Sequence, residues 1–423
     1  MFWKKLFHTR DYLRSSLWVV PFVAIPLELV ATRILHSLDD RLGSAFLGLG
    51  VSGAQAMLDA IITAMLSFVV FTFGSLLVAL QIASGQMTPR IIATILVRDN
   101  VVRYTTGLFI FTLLFAISAV NRIQASVSQL VVFVAACLAI ICFGAFLYLI
   151  DYASRLLRPI SIVGLVGKSG LAVIANSYPG LNPNGTEARF RNTRKSPVRT
   201  VSHEGASEIV LAVSLPHLIK LAEHSNGVIE LVPQVGDFVA TDEPLFKLYD
   251  GAESLDDGEL RSVVAFGPER TLDQDPTFAF RIIIDIALKA LSPAINDPTT
   301  AVIAIDQLHR LLRSVGRRNL RTEELVGRSG ELRVVCRTPN WEDFVHLAFT
   351  EIRHCGAHNI QIARRLRAMI ENLIETLPKY RHAALSQQLE LLDREVDRRF
   401  NYAEDRTLAH VADSQGLGGA SGL

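Results

Sequence analysis

The sequence predicts a membrane α-helical bundle of four transmembrane helices. To it is joined a cytoplasmic α+β region with a small β-barrel or sandwich and C-terminal helices. Three observations carry this expectation. Four long apolar segments crowd the first 150 residues, and the rest of the chain has none. Basic residues fall unevenly between the two ends of those segments. Beyond them, short strand-like runs with turn residues give way to helical stripes.

A helix needs roughly 20 mostly apolar residues to cross the hydrocarbon core. The segments near Leu17–Leu38, Met57–Ser84, Val101–Val120 and Val127–Ile150 meet that length. The first is the weakest, because Pro21 and Pro26 interrupt it and Glu28 lies within it. Membrane helices tolerate such prolines better than soluble ones. No small-residue cleavage site follows it, so it reads as a retained span rather than a signal peptide.

Basic residues favour the cytoplasmic side. Lys4, Lys5, Arg10, Arg14, Arg90, Arg98, Arg103, Arg155, Arg158 and Lys168 fall on one side, ten in all, against Arg33, Arg41 and Arg122 on the other. Both termini are therefore expected in the cytoplasm, with the spans in a bacterial inner membrane. Tyr12, Trp18, Tyr104, Tyr148 and Tyr152 sit at the expected inner interface, where amphipathic rings prefer to lie. The net charge is only +1, so nothing in the bulk balance points to nucleic acid. The four cysteines form no CxxC pair, which indicates neither a disulfide framework nor a structural zinc site.

Residues 151–200 read as a helical stem and a linker rich in turn formers. Arg189, Arg191, Arg194, Lys195 and Arg199 give that stretch a basic run, read either as a solvated loop or as a contact for anionic headgroups. Residues 201–270 are expected to form the β-rich domain: a short helix, PHLIKLAEHS, then strands in VIELV and VGDFVATDEPLFKLY. The G-D-x-V…P-L spacing there resembles the barrel-sandwich fold of biotinyl and lipoyl domains over about 25 residues. The lysine hairpin that carries the cofactor in that fold is absent, so no cofactor is expected. Residues 271–410 read as mostly helical. Asp275 and Asp297, each followed by Pro, cap two helices, since the carboxylate accepts first-turn N–H groups and Pro fits the first helical position. ELRVVCR reads as one strand, Asn340 and Asn359 cap two more helices, and a last helix follows Pro378. The Gly-rich tail, 411–423, is expected to be disordered.

Two segments carry a family resemblance: LVALQIASGQMTPRIIATIL and FRIIIDIALKALSPAINDPTTAVIAIDQL. They resemble a bacterial family of predicted membrane proteins, domain of unknown function family 2254. The similarity extends over almost the whole chain, with mild departures at Gly85 and Thr88. It implies four spans and a cytoplasmic region, and brings no activity with it.

Candidate sites follow from polar groups in unusual places. Glu28 and Asp59 lie in or near spans, where a charge costs roughly 2.5–3.5 kcal/mol at mid-helix and so faces protein or water. They are read as a shared proton or cation site, or as structural hydrogen-bonding groups. Ser67, Gly74 and Gln81, with Thr63 alongside, form a small polar stripe on the second span, read as a packing seam or a pore-lining face. In the soluble part, Ser292, Asn296, Asp297 and Thr299 crowd a loop before a helix, read as a ligand loop or as a cap that docks two helices. Asp285 and Lys289 have the spacing of a helix ion pair. His354, Cys355 and His358 have Gly356 among them and no HExxH frame, so no metal is expected.

No nucleophile elbow, phosphate loop, dinucleotide fingerprint or carboxylate pair is present, so no enzyme is expected. The leading reading is a homo-oligomeric channel or channel-like transport protein, since four spans alone enclose little of a pathway. Its partners are the lipid bilayer, other copies of itself, and an ion or small ligand. The alternative is a membrane-anchored sensor or scaffold whose soluble region binds a partner or small ligand.

Overall fold

The structure, a computed structural model, describes residues 9, 16, 18–42, 50–86, 100–123, 128–156, 158–181, 196–320 and 324–419. The expected basic residues of the N-terminal tail, Pro89, Arg90 and Arg98, and the basic linker run before Arg199 lie outside it. The chain divides into two compact units. One holds nearly all of residues 11–161 and the other residues 162–423.

The first unit contains α1 (Val19–Leu42), α2 (Val51–Gln86), α3 (Asn100–Val120) and α4 (Gln129–Leu156). α1 packs along α3, and α3 along α4. Gly107 on α3 lets α1 approach, since a Cβ there would lie 2.6 Å from Val20. α2 reaches the same core through one narrow face: Ala54, Leu58, Ile61 and Met65, with Phe68 stacked on Phe146 at 4.2 Å.

Among the described residues, four helices are long and apolar enough to cross a membrane: α2, α3, α4 and α5 (Pro159–Ser177). The set differs from the expected one at two places. The segment expected as the first span forms the helix α1, which is not one of those four. The expected stem, α5, joins them instead. Their surroundings separate the two. α1 exposes Phe22, Val23, Leu27, Leu29 and Val30, a lipid-like surface. α5 buries Ile162, Val163, Val166 and Ile174 in the second unit, and Gly170 there sits against Ala279 and Leu311. One face of α5 therefore packs as a core helix of the second unit.

The second unit mixes two sheets with helices. Its elements are β1 (Arg199–Ser202), β2 (Glu208–Val213), α6 (Leu215–Ser225), β3 (Val228–Leu231), β4 (Phe238–Val239), β5 (Pro244–Tyr249), α7 (Asp257–Ser262) and β6 (Val264–Gly267). After them come α8 (Pro276–Ala290), α9 (Pro298–Gly316), β7 (Glu324–Val326), β8 (Leu332–Cys336), α10 (Trp341–Gly356), α11 (Ile360–Thr376), α12 (His382–Arg399) and α13 (Ala403–Ala409). One sheet runs β1-β5-β3-β8-β7 and the other β4-β2-β6. Both are open at their edges, so of the expected barrel or sandwich no closed barrel is formed among the described residues. The two sheets and α6 instead share a single core, from Val210, Leu218, Ile229, Phe246, Val264 and Val334.

β8 pairs in parallel with β3, Ile229 opposite Val334. The β-rich part therefore does not close at residue 270 as expected. A strand from beyond two helices completes its sheet, because a parallel partner needs a crossover connection. α8 is buried on almost every side, from Phe278 to Ala290, and forms the centre of the helical layer. Asp275, Asp297, Asn340 and Asn359 cap their helices by accepting first-turn N–H groups, as their spacing predicts.

The Gly-rich tail departs from expectation over residues 411–419. Asp413 accepts N–H groups from Gln415, Gly416 and Gly418. Arg364, fully buried on α11, donates to the carbonyls of Val411 and Gly418. Buried guanidinium groups need acceptors, and the tail's backbone provides them.

Candidate functional site

A cavity of about 430 Å³ opens in the second unit. Five separate segments build it: the end of α5 at 176–178, the β2–α6 junction at 213–216, the β3–β4 turn at 231–235, the start of α8 at 273–276, and the end of β8 at 336–339. Val213, Leu215, Leu231, Val235 and three prolines make most of its wall apolar. Polar groups enter at a few places, chiefly Gln234, Asp273, Asp275, Arg337 and Thr338. A mostly apolar hollow with a few converging polar groups is the usual form of a small-molecule site.

Asp275 is the polar group with the least ordinary surroundings. Its side chain is almost wholly buried. Oδ1 accepts the Thr277 hydroxyl at 2.5 Å and the Phe278 N–H at 3.2 Å. Oδ2 has no hydrogen-bond donor, and Arg270 Nη1 lies 3.6 Å from it. Gly236, with φ of +94°, closes over this oxygen; a Cβ there would lie 2.5 Å from Oδ2. Only glycine combines that left-handed backbone with so close an approach. Burial pushes the Asp275 carboxyl above its usual range, against the pull of Thr277, Arg270 and the backbone donors. Burial, then the charge of Asp275, also raises the neighbouring Tyr178 phenol. Gln274 is spoken for: its amide bonds Val213 through N–H to Oε1 at 3.0 Å and Nε2 to carbonyl at 3.4 Å.

The residues singled out from the sequence lie elsewhere. Ser292, Asn296, Asp297 and Thr299 do come together, in the α8–α9 turn. The Ser292 hydroxyl donates to the Lys289 carbonyl at 2.6 Å. Asp297 accepts the Thr300 N–H at 3.0 Å and its hydroxyl at 2.5 Å. Asn296 takes a positive φ of 48°, which Asn tolerates better than most residues. The polar groups of this loop are used largely in holding the turn. Asp285 takes Arg281 as a partner, and Arg281 also holds Glu351. His354 and Cys355 are exposed on the last turn of α10, with His358 beyond its end.

Glu28 and Asp59 take opposite environments. Glu28 is 4% exposed and accepts the Thr32 hydroxyl at 2.6 Å. Asp59 is exposed on α2. Thr63, Ser67, Gly74 and Gln81 are exposed along the same helix. At 3.6 residues per turn they lie about half a turn round from Leu58, Ile61 and Met65, the face that meets the bundle. The Thr63 and Ser67 hydroxyls donate to carbonyls one turn back, at 2.9 Å each.

Sequence reasoning recognised Asp275 only as a helix cap. The cavity draws on segments up to 163 residues apart, 176 to 339, so no local pattern announces it. The one local hint was the acid pair of Asp273 and Asp275 ahead of Pro276.

Apolar helices long enough to span a bilayer, joined to a compact α/β unit with a hollow in it, define a membrane protein. The chain belongs to the family of predicted membrane proteins described as DUF2254, which matches residues 14–372. It is similar to uncharacterized proteins of Mycobacterium bovis and Mycobacterium tuberculosis. Each is 26% identical over 424 residues, covering 94% of this chain and 79% of the relative. No solved structure matches the chain.

Proposed function

We propose that this is a membrane-anchored sensor whose soluble unit binds a small ligand in the cavity beside Asp275. The carrying observation is that cavity: about 430 Å³, largely apolar, with a buried carboxyl oxygen that has no donor. Its walls come from both sheets and from the starts of α6 and α8. A ligand there would bridge the strand and helix layers and favour one arrangement of them, which is how a ligand biases a conformational equilibrium. No catalytic step belongs to this reading. The test is a fragment screen on the full chain in lipid nanodiscs, read by thermal stability and ligand-observed NMR. Binders are expected, and Val235→Trp, which fills the cavity, is expected to abolish them. A screen without binders, or binders indifferent to Val235→Trp, rejects the reading.

A second reading, a homo-oligomeric channel-like transport protein, is favoured by the outward stripe on α2. Small residues let helices approach closely in lipid, where no hydrophobic drive separates helix from tail. Asp59, Thr63, Ser67 and Gly74 face away from their own bundle, so a second copy is the natural partner for that face. Ser67→Cys is expected to give cross-linked dimers in native membranes with a short bis-maleimide. A purely monomeric product removes the reading. On either account the anchor lies in a bacterial inner membrane with both termini inside, and α1, not α5, supplies the fourth span.

A further inference from the structure

We propose that the cavity beside Asp275 takes a small organic cation, an amine with an apolar body, whose ammonium sits on the Asp275 carboxylate; this rests on the ligand-binding reading above and adds the class of ligand. Three features of the wall select the class. The apolar part, from Val213, Leu231 and Val235, suits a hydrocarbon or aromatic body. Asp275 is the one buried charge of the wall, whereas Asp273 and the one basic wall residue, Arg337, are both exposed and offset each other. The helix starts at the wall offer little to an anion. Pro216 and Pro276 lack an N–H, and Asp275 itself takes the Phe278 N–H.

Asp275 then supplies the specific contact. Oδ1 is already engaged, and Oδ2 is left with Arg270 at 3.6 Å, beyond hydrogen-bond reach. A buried carboxylate oxygen without a donor is costly, and a charge-assisted bond from an ammonium is the strongest relief available. Arg270 acts as an internal stand-in for that cation. Oδ2 is shielded from solvent, so the ligand must displace a neighbour, and Arg270, at 38% side-chain exposure, is the one able to yield. Burial raises the Asp275 carboxyl, and pairing with an ammonium draws it back toward the charged form.

The experiment compares three probes that share a ring: 4-fluorobenzylamine, 4-fluorobenzyl alcohol and 4-fluorobenzoate. Each is titrated against the full chain in nanodiscs and read by fluorine NMR line broadening, with empty nanodiscs as the blank. The amine is expected to bind about tenfold more tightly than the alcohol, the size of one charge-assisted bond. Benzoate is expected to bind least. Asp275→Asn keeps the helix cap and is expected to erase the amine's preference while leaving alcohol binding. Arg270→Gln removes the competing cation and is expected to tighten the amine severalfold without changing the alcohol. Benzoate or alcohol binding best, or an amine preference that survives Asp275→Asn, overturns the cation class while the ligand site stands. Silence from all three probes overturns the class, and silence from the wider screen as well removes the site.

Discussion

Asp275 holds a position that serves the folded protein poorly unless something answers it. Its carboxyl keeps a proton to higher pH in the folded state than in the unfolded one. Over that interval the folded state binds more protons, so stability falls as pH rises through it. Asp275→Asn, neutral at every pH and an equally good cap, removes that penalty. The variant is expected to melt above the parent at about pH 7.5, and level with it at about pH 2.5, below the ordinary carboxylate range, where Asp275 is protonated in both states. Calorimetry of the full chain in detergent checks this; a variant that melts lower at neutral pH contradicts the burial argument. The cap was legible in the sequence from Asp-Pro alone. The missing donor on Oδ2 was not, because Gly236 and Arg270, which surround that oxygen, lie 39 and 5 residues away in the chain.

Among elements, α5 shows how far composition alone can be read. Its apolarity satisfies the requirement for a membrane span, yet its buried face belongs to the soluble unit. Gly170 marks the contact: a Cβ would lie 2.7 Å from the Ala279 Cβ and 3.1 Å from Leu311. Gly170→Leu is expected to lower stability by about 1–3 kcal/mol through overpacking, despite the better helix propensity of Leu. Gly164, on the same helix, has no atom within 4 Å of the Cβ position. Gly164→Ala is therefore expected to be neutral or slightly stabilising. Urea unfolding of the two variants side by side gives the contrast; equal effects would mean that α5 does not pack where it is placed. The helices capped by Asp275, Asp297, Asn340 and Asn359 were legible because capping is local. The open sheets in place of a barrel were not, since β8 pairs with β3 across about 100 residues, Ile229 to Val334.

At the scale of the whole molecule, the choice of fourth span fixes which loops see the cell exterior. With α1 crossing and α5 held in the soluble unit, Gly50 lies outside and Arg158 inside. With α5 crossing in place of α1, the two exchange sides. Single cysteines at these positions, in a background lacking Cys137, Cys142, Cys336 and Cys355, settle it. Gly50→Cys is expected to react with an impermeant maleimide on intact cells, and Arg158→Cys only after lysis. The reverse pattern would move the soluble unit's first helix into the bilayer.

What the sequence determined by itself was what depends on neighbours along the chain. The apolar runs, the capped helices, the strand ELRVVCR and the family resemblance all rest on residues a few positions apart. Helix periodicity and caps are short-range effects of backbone hydrogen bonding. Tertiary structure alone decided that the apolar helix α5 buries one face in the core of the second unit. It also decided that the Gly-rich tail is held by Arg364 and Arg365, and that five distant segments enclose a hollow with one buried carboxylate in its wall. Each of these depends on which surfaces meet in space, and burial, the quantity that ranks them, is set by residues far apart in the chain.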